Sequence, residues 1–250
     1  SYSAINTARS ALSSIIVLEG KPAGNHFKIV RVMKGIFNLK PYIPKSTVTW
    51  DPQILLDYLR KLSPVKHLSL LDLTRKFVTL LWLITGQRGQ TIQSIHIDNV
   101  TVTDNHVKIS FGDILKTTRP GFQQEELRLK GFAPDRRLCI VTVAKAYISR
   151  TKSFRKSDKQ NQLFITTIGQ HNNAKKATIY NWVIHCLSQA GIDLKKFSPH
   201  SIRSAATSAA IRSHVPLATI MKSAGWTKES TFRKYYDKKV TTDSNLVLKN

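Results

Sequence analysis

The sequence predicts a mainly α-helical protein with a small antiparallel β-sheet, an α+β chain of 250 residues. Three observations carry that expectation. Apolar residues recur at three- and four-residue spacing over most of the chain, and strict alternation replaces this pattern only around residues 100–129. The segment Lys40-Pro41-Tyr42-Ile43-Pro44-Lys45 cannot continue a helix, because each proline lacks an N–H and restricts its predecessor, so it divides the chain. A hydrophobic content of 41% is enough to bury a core in one large domain or two smaller ones.

Ala4, Ala8, Leu12 and Ile15, with Ile5 and Ile16 beside them, predict a first helix. A second starts at Asn25 as N-cap and runs to about Leu39, with Phe27, Val30, Ile36 and Phe37 on its apolar side. Lys28, Arg31 and Lys34, spaced by three, form a basic stripe on the other side, aimed at solvent or at phosphates. From Gly20 to Trp50 there are six basic residues and no acidic one, which favours DNA. Two helices are too few to enclose a core alone, so residues 1–40 read as part of a larger helical domain, 41–49 as a linker and 50–250 as a second domain.

In that second domain, Asp51-Pro52 is a cap followed by proline at the first helical position, and Ile54, Leu55, Tyr58, Leu59 and Leu62 carry the helical period. A longer helix, apolar on most sides and therefore central, spans about residues 69–85 and stops at Gly86. Val100/Val102 and Val107/Ile109/Phe111 alternate around Asp104-Asn105 as a hairpin, and residues 126–129 supply a third strand after Pro120-Gly121. Helices follow at about 141–150 and 178–190, with a short strand at 163–166 between them. Ser198-Pro199 opens another to about 213, Pro216 one to about 224, and a last one holds 231–236.

The charge balance, 39 Lys+Arg against 15 Asp+Glu for a net +24, calls for a polyanionic partner, and nucleic acid is the commonest. The best candidate for a membrane span, residues 77–84, is less than half of the roughly 18 residues required, so a soluble chain with no membrane role is expected. Cys139 and Cys186 form no CxxC or Cys/His cluster, so neither a disulfide scaffold nor a metal site is expected, and an intracellular compartment is the default.

Four short pieces carry candidate chemistry. Arg88 stands two residues after the glycine that ends the buried helix. His200 and Arg203 in Ser198-Pro199-His200-Ser201-Ile202-Arg203 share one face at a helix N-terminus, where N–H groups favour an anion. Gly225-Trp226 and the pair Tyr235-Tyr236 complete the set.

In this order, and with a lysine near the hairpin, these residues resemble the tyrosine recombinase (phage integrase-like) superfamily over the whole chain after the linker. The wording of residues 225–236, Gly-Trp-Thr-Lys-Glu-Ser-Thr-Phe-Arg-Lys-Tyr-Tyr, is most similar to recombinases of DIRS-like eukaryotic retrotransposons. The resemblance implies a catalytic domain of that fold preceded by part of a helical, DNA-clamping core-binding domain. It implies cutting and rejoining of double-stranded DNA through a 3′-phosphotyrosyl bond, with no cofactor, metal or ATP, by a homotetramer on synapsed DNA in the nucleus. Arg88 and Arg203 would hold the phosphate, His200 would bind it or take the tyrosine proton, and Trp226 would stand where many relatives have histidine. Lys116 would protonate the leaving 5′-oxygen, with Lys108 as runner-up. Tyr236 would be the nucleophile, with Tyr235 as runner-up. Where many relatives carry an acid three residues after the first arginine, this chain has Thr91. A DNA-binding module without catalysis, and a type IB topoisomerase, are the alternatives.

Overall fold

The computed structural model describes residues 1–41, 48–112, 118, 124–226, 229–235 and 238–240. The chain divides into two compact units, 1–47 and 48–250.

In the first unit, α1 (Tyr2–Ser13) is capped by the Ser1 hydroxyl, which accepts from the Ala4 amide at 3.4 Å. It ends before Ile15 and Ile16, which the periodicity had included. The Ser14 hydroxyl donates to the Ala11 carbonyl at 2.7 Å, and the chain then turns into an unforeseen hairpin, β1 (Val17–Leu18) with β2 (Lys21–Pro22). Glu19 and Gly20 both have positive φ, 49° and 74°, as a tight two-residue hairpin turn demands. The second helix, α2 (Phe27–Leu39), starts later than its expected cap at Asn25. Residues 23–25 are instead committed to a 3-10 turn, pinned by Arg9 Nη1 on the Gly24 carbonyl (2.7 Å) and the Gly24 amide on Ser13 Oγ (3.0 Å), so His26 takes the cap position.

The inward side of α2 also differs from expectation. Met33 is buried, with Ile29 and Ile36 partly so, whereas Phe27 and Val30 are 66% and 49% exposed. At about 100° per residue, Lys28 and Arg31 project roughly opposite Met33 and Lys34 to its side, and all three are exposed. Among the described residues of this unit only Ala23, Gly24 and Met33 are buried.

The second unit begins with β3 (Val48–Thr49) and α3 (Pro52–Lys61), whose cap Asp51 accepts from the Gln53 amide. The central helix is α4 (Leu70–Thr85), capped by Ser69 and stopped by Gly86 at φ 61°. It packs against the later helices α6 (Ile140–Thr151), α7 (Lys176–Gln189) and α8 (Ser201–Arg212). Leu73, Phe77, Leu80 and Leu81 on it are almost fully enclosed, and each such side chain contributes roughly 1.5–3 kcal/mol. Its Lys76 is buried too, with Nζ donating to the Leu62 carbonyl and Ser63 Oγ, and burial pulls its pKa down to about 8.

A short helix that local periodicity did not reveal, α5 (Gly89–Gln93), follows. The sheet is antiparallel in the order β4 (Val100–Val102), β5 (His106–Ile109), β6 (Leu127–Lys130), with Val107 facing Val102 and Leu129 on either side. Residues 163–166 are no ladder strand. Leu163, Phe164 and Ile165 are buried, but the backbone bonds of this stretch, Leu163 to Ile95, Phe164 to Ala174 and Thr166 to Asn172, are shared between two separate segments, so only isolated bridges form nearby. Helices α9 (Leu217–Ala224) and α10 (Glu229–Tyr235) close the helical set, and β7 (Lys239–Val240) pairs in parallel with β3. No helix among the described residues is long and apolar enough to cross a membrane.

Candidate active site

Two glycine stops place the backbone of the site. Gly86, closing α4, and Gly225, closing α9 at φ 69°, both adopt the left-handed conformation that side chains disfavour. The carbonyls at these stops lie at the negative ends of their helices and accept from arginines. Arg203, in the first turn of α8 and fully buried, donates from Nη1 to the Gly86 carbonyl at 2.6 Å and the Ala224 carbonyl at 3.1 Å. Arg88, half-buried at the cap position of α5, donates from Nη1 to the Gly225 carbonyl at 3.2 Å. The consecutive carbonyls of Ala224 and Gly225 thus hold two different guanidinium groups side by side.

The surrounding turn is stitched to α9 as well. Gln87 Nε2 donates to the Ser223 carbonyl at 2.6 Å, and Ser223 Oγ to the Thr85 carbonyl at 3.1 Å. Thr91, where an acid was noted as missing, is buried on α5, and the anchor that Arg88 does have is Gly225. Gly89 is the residue sequence reasoning missed here. A Cβ on it would lie 2.5 Å from the Trp82 ring and 2.7 Å from Tyr180, so only glycine lets α5 pack this closely and keep Arg88 in place.

His200 precedes α8 instead of lying within it. The expected helix start at Ser198-Pro199 is displaced because the Ser201 amide and hydroxyl both donate to the Ser198 carbonyl, at 2.8 and 2.7 Å, closing a tight turn first. Phe197 and Pro199 are buried while Ser198 and His200 are exposed, so the turn presents the imidazole outward.

Trp226 is 6% exposed. The Arg203 guanidinium lies 4.3 Å from its ring centroid, and Phe232 of α10 meets it edge-on at 4.9 Å. Phe232, fully buried, therefore anchors the tyrosine-bearing helix to the arginine pocket. Its signal in the sequence is a lone apolar residue in a polar stretch, three and four positions before the two tyrosines. Tyr235 is the last residue of α10, whereas Tyr236 lies outside the described residues. So does Lys116, in the connection between β5 and β6. The runner-up lysine, Lys108, is tied at 2.7 Å to Glu126, whose carboxyl it holds below the ordinary carboxylate range. The structure thus brings Arg88, Arg203 and Trp226 together, sets His200 at the start of the same helix as Arg203, and engages Lys108 elsewhere. Among the described residues no three His, Cys, Asp or Glu side chains are grouped to hold a metal.

Residues 55–241 match the model of the phage integrase family. The chain belongs to that family. Solved structures agree on the fold. The chain superimposes with a TM-score of 0.55 on XerA recombinase, at 16% identity, covering 99% of this chain and 80% of that one. The Tn1549 transposon integrase in complex with circular intermediate DNA gives 0.59 at 15% identity, covering 99% and 78%. XerH site-specific recombinase bound to difH substrate gives 0.57 at 15% identity, and the chain, 94% covered, spans 66% of it. No curated protein matches the sequence significantly. Within the family frame, the arginine pair on the carbonyls of residues 224 and 225 is the feature that ties sequence order to a single place in space.

Proposed function

We propose that this protein is a site-specific DNA recombinase of a mobile element. The observation that carries the reading is the convergence of Arg88 and Arg203 on adjacent carbonyls beside Trp226 and Phe232. In a strand cleavage the tyrosine oxygen attacks the scissile phosphorus, a phosphotyrosyl bond forms at the 3′ side, and the 5′-oxygen leaves. A 5′-hydroxyl from another strand reverses the step, so bond energy is conserved without ATP. Phosphate charge grows in the transition state, and guanidinium groups fixed beforehand stabilise it without reorganising. His200, exposed at the start of α8, binds a phosphate oxygen or takes the tyrosine proton, which is needed because free tyrosine titrates near ~10. Arg203 is enclosed, so its contact with the phosphate requires the chain over it to shift when DNA binds.

Tyr236 is assigned as nucleophile and Lys116 as the acid for the leaving oxygen. The ion pair of Lys108 with Glu126 supports that choice of lysine. Lys28, Arg31 and Lys34 grip backbone phosphates, in a core-binding domain spanning 1–40 joined by 41–49 to a catalytic domain at 50–250. One active site cuts one strand, so exchange of two duplexes takes a homotetramer. The wording of residues 225–236 supports a DIRS-like element and hence nuclear DNA. Lys238 to Val240 returns to its own chain, through the Lys238 amide on Ser208 Oγ and β7 on β3, which leaves 241–250, with Leu246, Val247 and Leu248, as the stretch for contacting a neighbouring protomer.

The test is a pool of nicked suicide duplexes with randomised cores, incubated with the full chain and resolved under denaturing conditions. Covalent protein–DNA species that go on to join the cleaved strand to a second duplex support the recombinase reading. Binding without adduct supports a DNA-binding module, and adduct formation with relaxation of a separate supercoiled plasmid but no joining to a second duplex supports a type IB topoisomerase.

A further inference from the structure

We propose that Trp50 is a positioning residue, whose indole N–H, relayed through the Ser201 hydroxyl, fixes the turn that presents His200. The inference rests on the recombinase reading above. Trp50 is 3% exposed and part of the main core, yet its one polar atom is not wasted there: Nε1 donates to Ser201 Oγ at 2.8 Å. An indole N–H only donates, and a serine hydroxyl has a single proton. The direction of the relay is therefore fixed, with Ser201 accepting from Trp50 and donating to the Ser198 carbonyl at 2.7 Å. That carbonyl also receives the Ser201 amide at 2.8 Å, and the two bonds close the turn whose corner is Pro199-His200. Without the indole, the hydroxyl is free to rotate to other acceptors and the turn keeps one directed bond instead of two.

Position in the fold strengthens the assignment. Trp50 directly follows β3, which pairs with β7 just beyond the tyrosines, and the Lys238 amide donates to Ser208 Oγ further along the same α8. Residues 48–50 therefore tie both the His200 turn and the stretch after the nucleophile to one helix.

The experiment compares covalent-adduct formation at saturating nicked duplex with DNA affinity measured separately. Trp50→Phe keeps a ring and loses the N–H; Ser201→Ala breaks the relay from its other side. Each is expected to slow adduct formation about 10- to 100-fold, as a slight misplacement of a reacting group does, with affinity changed less than about twofold. Ser201→Thr, which keeps the hydroxyl, is expected to restore the rate. In a His200→Ala background Trp50→Phe should cost nothing further, which a general packing defect would not reproduce. Native rates in Trp50→Phe or Ser201→Ala, or a full additional loss on His200→Ala, overturn the inference alone. No adduct from the unsubstituted protein overturns the recombinase reading and the inference with it.

Discussion

On α2 of the first unit, Lys28, Arg31 and Lys34 project into solvent and their side chains make no ion pair or hydrogen bond among the described residues, whereas Arg88 and Arg203 of the second unit are fastened to the carbonyls that end two helices. Under the proposed function the same positive charge serves different ends. An exposed charge attracts a polyanion over a Debye length and releases counterions on contact, which adds affinity without fixing geometry. An arginine with its guanidinium already oriented adds its energy only where a phosphate meets that orientation, which is what a transition state requires.

Substitutions that keep charge but lose orientation break this contrast most sharply. Arg203→Lys retains the cation and loses the planar guanidinium that Nη1 fastens to the Gly86 and Ala224 carbonyls, and adduct formation should fall about 1,000-fold, the scale of losing a fixed transition-state donor, while DNA affinity changes little. Equal losses in affinity and rate would make Arg203 an ordinary binding charge. Phe232→Ala should cost about 3 kcal/mol locally by emptying the contact with Trp226, seen as faster amide exchange in α10 than in α4. Protection that stays equal in the two helices would mean Phe232 does not anchor the tyrosine helix.

Neutralising Lys28, Arg31 and Lys34 together to Gln tests the other side of the comparison. The slope of log affinity against log salt should become shallower by roughly 2 to 3, with the single-turnover rate at saturating DNA unchanged. A slower rate at saturation would show that the stripe does more than hold DNA. The smallest effect is on stability. Lys76 titrates at about 8 when folded and near ~10.4 when unfolded, so between those values its own contribution to stability rises with pH, whereas the buried Cys186 thiol, pushed up to about 11, contributes the opposite slope. Lys76→Met removes the lysine's share, so its stability relative to the unsubstituted chain should fall from pH 8 to pH 10, as chemical denaturation at the two pH values would report.

What could be read beforehand follows the range of the forces involved. The central helix was legible because Ser69, a run of apolar residues and Gly86 all signal locally, and the sheet because Val100 to Val102 and His106 to Ile109 alternate about a turn. The order Arg88, His200, Arg203, Trp226 was legible as a pattern. The hairpin at 17–22 was not, since it uses a positive φ at Glu19, a residue with no turn signature. The inward side of α2 was misjudged because packing against α1 and the 3-10 turn at 23–25, not residue size, decides which side chains are covered, and it covers Met33. The pairing of β3 with β7 and the contact of Gly89 with Trp82 and Tyr180 join residues far apart in sequence, which no local period encodes.

The most direct measurement is to digest the trapped protein–DNA species and locate the nucleotide-bearing peptide by mass spectrometry, alongside Tyr235→Phe and Tyr236→Phe. A covalent 3′-phosphotyrosyl link at Tyr236, retained in Tyr235→Phe and abolished in Tyr236→Phe, is the expected result. An adduct that survives Tyr236→Phe, or a link at any other residue, would contradict it.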